Sequence, residues 1–220
     1  MLQHTTIARD GVQFCAYALD EPAAPPQGKL LLASASARRR ELLFPLAGAF
    51  EVLTFSIPEP RDPSRSVAEQ AQALAVRKAL HGHSLAPGRL VLGADTLVAL
   101  DGAVFGKPRD EQDAAQILQK LSGRTHQVTT GVALCAPGRY WAGYETTEVT
   151  FRPLTPDEIE RYVSAGEWRD KAGGYGIQGQ ASVFVARIAG SLSNVIGLPE
   201  ALVRAMLAES SDSCTKEVLF

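Results

Sequence analysis

Apolar and polar residues alternate along the chain in stretches that predict both strands and helices. Short apolar or alternating runs, which favour strands, occupy residues 30–33, 50–55, 90–92, 128–135, 140–151 and 182–188. Apolar residues spaced three and four apart predict helices that begin near Arg38, Ser66, Asp110, Pro156 and Pro199. Ser66 and Glu69 form a predicted capping box, and Pro45 and Gly48 are expected to limit the first helix.

Two predicted hairpins interrupt the alternation of strands and helices. Asp101 and Gly102 lie between apolar runs and suit a two-residue type I′ turn, while Pro137 and Gly138 separate two longer strands. The irregular order predicts an α/β fold with a mixed sheet, since a doubly wound parallel sheet would need regular crossovers.

Composition and charge exclude several classes of protein. The 220 residues are 45% hydrophobic and 21% charged, which suits one large domain or two lobes. A net charge of −2 argues against a protein that coats nucleic acid. The sequence lacks an apolar run of the roughly 18 residues that span a membrane. Three widely spaced cysteines argue against disulfides and zinc, so we expect a cytoplasmic protein.

The two ends of the chain differ from its middle. Residues 1–28 are expected to form an extension, in which VQFCAYAL could add an edge strand and the proline-rich residues 22–28 form a stiff linker. The main domain is expected over residues 29–209. Residues 210–220 are polar and are expected to be a frayed tail.

Three arginines stand where the first helix is predicted to begin. A helix N-terminus repels cations by roughly 0.3–1 kcal/mol each, yet Arg38, Arg39 and Arg40 open this one, after Ser34 and Ser36. We expect one of the arginines to face solvent and the others to be stable together only with an anion between them, such as a phosphate. The alternative is a solvated basic turn capped by Ser34 or Ser36.

Two carboxylates and a lysine are further candidates. Asp95 is predicted to follow a buried strand directly, where ligand clefts form in α/β folds, and it could bind a metal or take a proton from water. The alternative for Asp95 is a turn residue, and for Glu59, between two prolines, a surface charge. The segment GAVFGKP is one residue short of a P-loop, but Lys107 within it remains a candidate phosphate ligand.

A glycine-rich segment, DKAGGYGIQG at residues 170–179, carries Gln178. Its amide can pair with the imide edge of uracil or thymine and, flipped, with cytosine. The alternative is an ordinary loop. His81 and His83 stand at a predicted helix end, where their fit to the helix dipole is favoured over a metal pair.

These segments occur in a fixed order that resembles one family. LLASASARRRELL, VLGADTLVALDGAVFGKP, LSGRTHQVTTGVAL, DKAGGYGIQG and NVIGLP together resemble the Maf (septum-formation-like) nucleoside triphosphate pyrophosphatases, over about residues 29–207. The resemblance implies a mixed, twisted sheet with flanking helices and two lobes around a central cleft, as in inosine triphosphate pyrophosphatases. It also implies metal-dependent hydrolysis of a nucleotide to its monophosphate and pyrophosphate.

The resemblance also implies roles for individual residues. Asp95 matches the general base and, with Glu59, would hold Mg²⁺ or Mn²⁺. The positions that match triphosphate contacts are Ser34, Arg38, Arg39, Lys78 and Lys107. Arg38, Thr96 and Gln178 match the dTTP/UTP branch rather than the branch resembling 7-methyl-GTP pyrophosphatases. Ala37 departs from the usual proline before the arginines, which loosens the helix start without removing a ligand.

The resemblance therefore implies a dTTP/UTP pyrophosphatase whose partner is a small nucleotide, not a nucleic acid or a membrane. Three other possibilities stay open: a non-catalytic nucleotide-binding module acting through a partner in cell division, a house-cleaning enzyme for modified nucleotides, and association as a homodimer.

Overall fold

The computed structural model describes residues 4–60, 62 and 64–217, with the side chains of 214–217 left out. The strands are β1 (His4–Arg9), β2 (Val12–Ala18), β3 (Leu31–Leu32), β4 (Glu51–Val52), β5 (Val91–Leu100), β6 (Ala103–Phe105), β7 (Thr125–Ala136), β8 (Arg139–Phe151) and β9 (Val185–Ala189). The helices are α1 (Ala37–Ala47), α2 (Val67–Leu85), α3 (Glu111–Leu121), α4 (Pro156–Ser164), α5 (Leu192–Ile196) and α6 (Glu200–Glu217). Short 3₁₀ turns cover Ala172–Gly174 and Gln180–Phe184.

The chain divides into two compact units. The first contains the described residues up to Asp95, those of Thr130–Glu145 and those from Gly197 onward, and the second contains Thr96–Thr129 and Thr146–Ile196. Strands β5, β7 and β8 therefore contribute residues to both units.

The first unit is a mixed sheet with helices packed on it. Its strands follow the order β1-β2-β8-β7-β5-β3-β4. β3 is parallel to β4 and β5, whereas β2 is antiparallel to β1 and β8. The core combines strand residues with leucines and a methionine of α1 and α6, including Leu32, Leu43, Leu92, Leu202 and Met206.

The second unit has its own core. β6 pairs antiparallel with β5 through the predicted turn, where Asp101 and Gly102 have φ of 50° and 79°. β9 pairs antiparallel with β8. Apolar faces of α3 and α4 pack on these strands, and the largest core side chains are aromatic: Phe151, Tyr162, Trp168, Tyr175 and Phe184.

The predicted α/β class with a mixed, twisted sheet and flanking helices is confirmed. The capping box of Ser66 and Glu69 is present, and Asp110 caps α3 as expected. Gly48 ends α1, but Pro45 lies inside this helix instead of stopping it.

Several predicted strands differ in their bounds from those observed. The strand predicted at residues 50–55 is only Glu51–Val52, and the one predicted at 182–188 is Val185–Ala189 after a 3₁₀ turn. The strand predicted at 90–92 continues to Leu100, because it pairs with β6 beyond Asp95. Pairing partners, which local patterns do not reveal, set these lengths.

Part of the predicted N-terminal extension belongs to the sheet of the first unit. β2 pairs with β8, as the edge strand expected from VQFCAYAL would, but β1 lies outside it and forms the edge. Arg9 Nη1 lies 2.7 Å from Asp212 Oδ2 on α6, and Glu21 Oε1 lies 2.9 Å from His83 Nε2. Of the predicted extension and tail, residues 1–3 and 218–220 lie outside the described residues.

Within the described residues, none of the helices is both long enough and apolar enough to cross a membrane.

Candidate active site

The start of α1 lies directly after β3. Ser36 is the N-cap, with its Oγ accepting a hydrogen bond from Arg39 N at 3.4 Å. A cap by Ser34 or Ser36 was expected in the alternative interpretation of this segment as a solvated basic turn. Ser34 Oγ accepts hydrogen bonds from Ser36 N at 3.3 Å and from Arg39 Nη1 at 3.2 Å. Arg40 is exposed, as expected for one of the three arginines.

Arg39 is held by groups of the protein itself. Its Nε donates to Gly197 O at 2.8 Å, in the loop before α6. The pKa of Arg39 lies below its ordinary value, chiefly because of burial. Asp95 opposes this shift, the neighbouring charge of Arg38 adds to it, and Glu59 also opposes it. The carboxylates of Asp95 and Glu59 therefore offset part of the charge on Arg39, and an anion between the arginines stays a prediction.

Lys78 joins the two predicted carboxylates. Its Nζ lies 2.5 Å from Asp95 Oδ1 and 2.7 Å from Glu59 Oε1. The side chains of Lys78 and Asp95 are 15% and 10% exposed, whereas that of Glu59 is 50% exposed. The ion pair with Asp95 is therefore less screened by water than that with Glu59.

Close packing of β5 against α2 brings Asp95 to Lys78. A Cβ on Gly93 would lie 2.5 Å from Ala75 O and 2.6 Å from Ala79 N, so only glycine fits there. Asp95 is two residues from Gly93, on the same face of the strand. Lys78 lies between Ala75 and Ala79 on the facing part of the helix, so their contact follows from the backbone approach.

Asp95 lies in the middle of β5, and not after the end of a strand as predicted. Its carboxyl group is buried beside Lys78, and its charge is close enough to raise the pKa of Arg39. The predicted position of Asp95 relative to the strand was therefore wrong, and its role in the site stays a prediction.

Three predicted site residues lie in the second unit: Thr96, Lys107 and Gln178. Thr96 is half-buried in β5, and Lys107 and Gln178 are exposed on loops. The backbones of these two loops meet, since Gly173 N donates to Gly106 O at 2.9 Å. Among the predicted site residues, direct side-chain contacts join Ser34 to Arg39, and Lys78 to Asp95 and Glu59.

The donor chemistry at Asp95 and Glu59 fits a hard divalent cation. Two carboxylates already converge on one positive charge, and Mg²⁺ is commonly held by one or two carboxylates together with substrate phosphates. In the described part of the chain, no group of three or more His, Cys, Asp or Glu side chains gathers as a metal site. Water and phosphate oxygens are common further ligands of Mg²⁺ in such sites.

Sequence reasoning missed one group at this site, the carbonyl of Gly197 that anchors Arg39. Its segment, NVIGLP, was recognised as part of the motif order but carried no assigned role. A main-chain carbonyl has no sequence signature, so only the fold could reveal this contact.

A cationic helix start beside a carboxylate–lysine cluster, on a mixed α/β fold, characterises a protein that binds phosphate groups. The family model described as "Maf-like protein" matches residues 29–210, and the chain belongs to this family.

Curated relatives match the chain over most of its length. A "dTTP/UTP pyrophosphatase" of Yersinia pestis is 52% identical over 171 residues, covering 77% of this chain and 87% of the relative. Proteins of the same name from Bacillus pumilus and Pyrococcus abyssi are each 47% identical over 171 residues, covering 78% and 77% of this chain and 90% of each relative. The structure of a nucleoside-triphosphatase, or dITP/XTP pyrophosphatase, of Mycobacterium abscessus is 17% identical, with a TM-score of 0.42 over 84% of this chain and 98% of that one.

Proposed function

We propose that this chain is a hydrolase that converts dTTP and UTP to the monophosphate and pyrophosphate. The observation that carries the proposal is the cluster of Asp95, Lys78 and Glu59 in the unit that also holds Arg39 at a helix start. The names of relatives that share about half of their residues with this chain support the same reaction and the same substrates.

In the proposed reaction, water attacks the α-phosphorus and the bond to the bridging oxygen of the β-phosphate breaks. Asp95 orients the water and accepts its proton, since it is the less exposed of the two carboxylates. Arg38, Arg39 and Lys78 offset the negative charge on the departing pyrophosphate. Ser34 keeps Arg39 in place through the contact to its Nη1.

A divalent cation, Mg²⁺ or Mn²⁺, would be held by Asp95 and Glu59 and would supply further charge neutralisation for the triphosphate. The ammonium group of Lys78 contacts one oxygen of each carboxylate and would compete with the cation, which would displace it from one or both. Lys78 would then be free to approach a phosphate oxygen.

We also propose that Thr96, Lys107 and Gln178 bind the nucleotide, with Gln178 pairing with the imide edge of the base. An amide can offer one donor and one acceptor to that edge, and the exposed loop position of Gln178 leaves its amide accessible. A cytoplasmic location agrees with this reaction, since its substrates are nucleotides of the cell interior.

The proposal is tested by a pyrophosphate-release screen over the common nucleoside triphosphates, with Mg²⁺, with Mn²⁺ and with a chelator. We expect dTTP and UTP to be the best substrates, with the monophosphate and pyrophosphate as the products in phosphorus NMR spectra. Release of single phosphates would contradict the proposed bond cleavage. Nucleotide binding without turnover would instead support the non-catalytic module.

A further inference from the structure

A buried histidine–tyrosine pair lies in the second unit, and neither residue takes part in the chemical step proposed above. His126 Nε2 and Tyr175 Oη are 2.7 Å apart, and the two residues are 1% and 6% exposed. His126 comes from β7, whereas Tyr175 belongs to the glycine-rich segment that carries Gln178. The bond therefore ties this segment to the sheet.

Both members of the pair are neutral near pH 7. Burial lowers the pKa of His126 to about 4 and raises the pKa of the Tyr175 hydroxyl. The Nδ1 atom of His126 is buried and, within the described part of the chain, has no hydrogen-bond partner. The pair thus makes one hydrogen bond while leaving a polar atom unsatisfied, which is costly in an apolar surrounding.

The surroundings of the pair are aromatic. The Phe151 ring packs edge-on against both His126 and Tyr175, with ring centroids 4.9 and 4.8 Å away. An apolar pair of similar shape would fill this core without an unsatisfied atom, and such replacements are commonly neutral or stabilising. Stability alone therefore does not explain a histidine and a tyrosine here.

The glycine-rich segment is anchored on both sides of Gln178. Gly176 N donates to Tyr162 Oη at 3.3 Å, and Gln180 N donates to Glu167 Oε2 at 3.0 Å. Tyr175 lies directly before the first of these anchors, so a shift of its ring would move the turn that presents Gln178.

The same segment is fitted against the loop of Lys107. A Cβ on Gly174 would lie 3.0 Å from Pro108 Cγ, and Gly173 N donates to Gly106 O at 2.9 Å. Displacing Tyr175 would thus disturb the supports of both Gln178 and Lys107.

We propose that His126 and Tyr175 are positioning residues that fix the glycine-rich segment, so that Gln178 and Lys107 meet the nucleotide in a defined geometry. This inference rests on the proposed function, because it assigns the pair to the base-reading part of the same reaction. Neither residue contacts the substrate in this proposal. Their effect is on nucleotide affinity and on discrimination between bases.

The test uses the full chain with Tyr175→Phe and with the double change His126→Leu and Tyr175→Phe. Tyr140→Phe is the matched control, because it makes the same change at a buried tyrosine of the first unit, whereas Tyr175 belongs to the second. For each protein, KM and kcat are measured with dTTP, UTP and CTP, together with the melting temperature and hydrogen exchange of residues 170–180.

We expect the double variant to melt close to the wild type but to exchange faster over residues 170–180. Its KM for dTTP and UTP should rise by about three- to tenfold, the equivalent of one hydrogen bond. The preference for dTTP and UTP over CTP should fall, while kcat for dTTP and UTP changes little. Tyr140→Phe should alter neither KM nor exchange in this segment.

Unchanged KM, base preference and exchange in both test variants would overturn the proposal, and so would a loss of stability without any change in KM. Failure of the proposed function gives a different result: the wild type itself would release no pyrophosphate. The exchange measurement, which needs no turnover, would then still decide whether the pair holds the segment in place.

Discussion

The change Asp95→Asn removes the charge of the carboxylate that Lys78 contacts but preserves its shape. An asparagine oxygen can still accept the hydrogen bond from Lys78 Nζ, now 2.5 Å from Asp95 Oδ1, and Glu59 remains 2.7 Å from the same ammonium. The variant should therefore fold, with the lysine still partly compensated.

The loss of stability can be bounded from this geometry. A hydrogen bond to a charged partner is worth about 1.5–3 kcal/mol and a neutral one about 0.5–1.5 kcal/mol. Lys78 keeps its ion pair with Glu59 after the change, so its ammonium group is not left without a carboxylate. The difference between the two kinds of hydrogen bond then gives an expected cost of about 1 kcal/mol for Asp95→Asn. For a protein of this size that lowers the melting temperature by roughly 2–4 °C.

The effect on catalysis should be far larger. Asparagine cannot accept a proton from water, and the loss of a general base costs about 10²–10⁴ in rate. It would also halve the carboxylate ligands proposed for the cation. The assay is pyrophosphate release from dTTP under saturating substrate and Mg²⁺, with melting followed in parallel.

Glu158→Gln is the matched control for this variant. Glu158 Oε1 lies 2.6 Å from Arg152 Nη2 and its carboxylate completes the capping box of α4, so the change also neutralises an ion-paired carboxylate. It should lower the melting temperature while leaving kcat unchanged. If Asp95→Asn kept kcat within threefold of the wild type, Asp95 would have no part in the chemistry.

Three further predictions concern charge and specificity. Lys78→Met should tighten Mn²⁺ binding in the absence of nucleotide by about three- to tenfold in calorimetry, because the competing ammonium group is gone. Weaker binding would contradict the proposed competition between Lys78 and the cation for the two carboxylates. Hydrogen bonds from Arg152 and Thr155 lower the pKa of Glu158 to about 2. The stability that the charged Glu158 side chain contributes is therefore fully present above the ordinary pKa of about 4.3 and is lost as the pH falls toward 2. Melting of the wild type and Glu158→Gln should converge over that range, and a constant difference would refute this. Gln178→Glu should raise KM for UTP and dTTP most, and an unchanged substrate ranking would reject its role.

Local patterns predicted much of the fold because short-range physics determines it. Ser66 and Glu69 form the predicted capping box because its bonds join residues only three apart, and Thr155 and Glu158 form a second one at the predicted start of α4. Likewise, Asp101 and Gly102 adopt positive φ and close the predicted hairpin. Strand lengths were predicted less well, because pairing with distant strands decides them.

The sequence by itself determined which chemical groups the protein carries: an arginine-rich helix start after two serines, an aspartate next to an apolar run and a glycine-rich segment that carries Gln178. Only the tertiary structure decided which of them meet. Gly93 lets β5 approach α2 so closely that Asp95 reaches Lys78, and the Gly197 carbonyl holds Arg39 from 158 residues away in sequence. Such contacts depend on backbone approach and packing between distant segments, which a local pattern of residues does not encode.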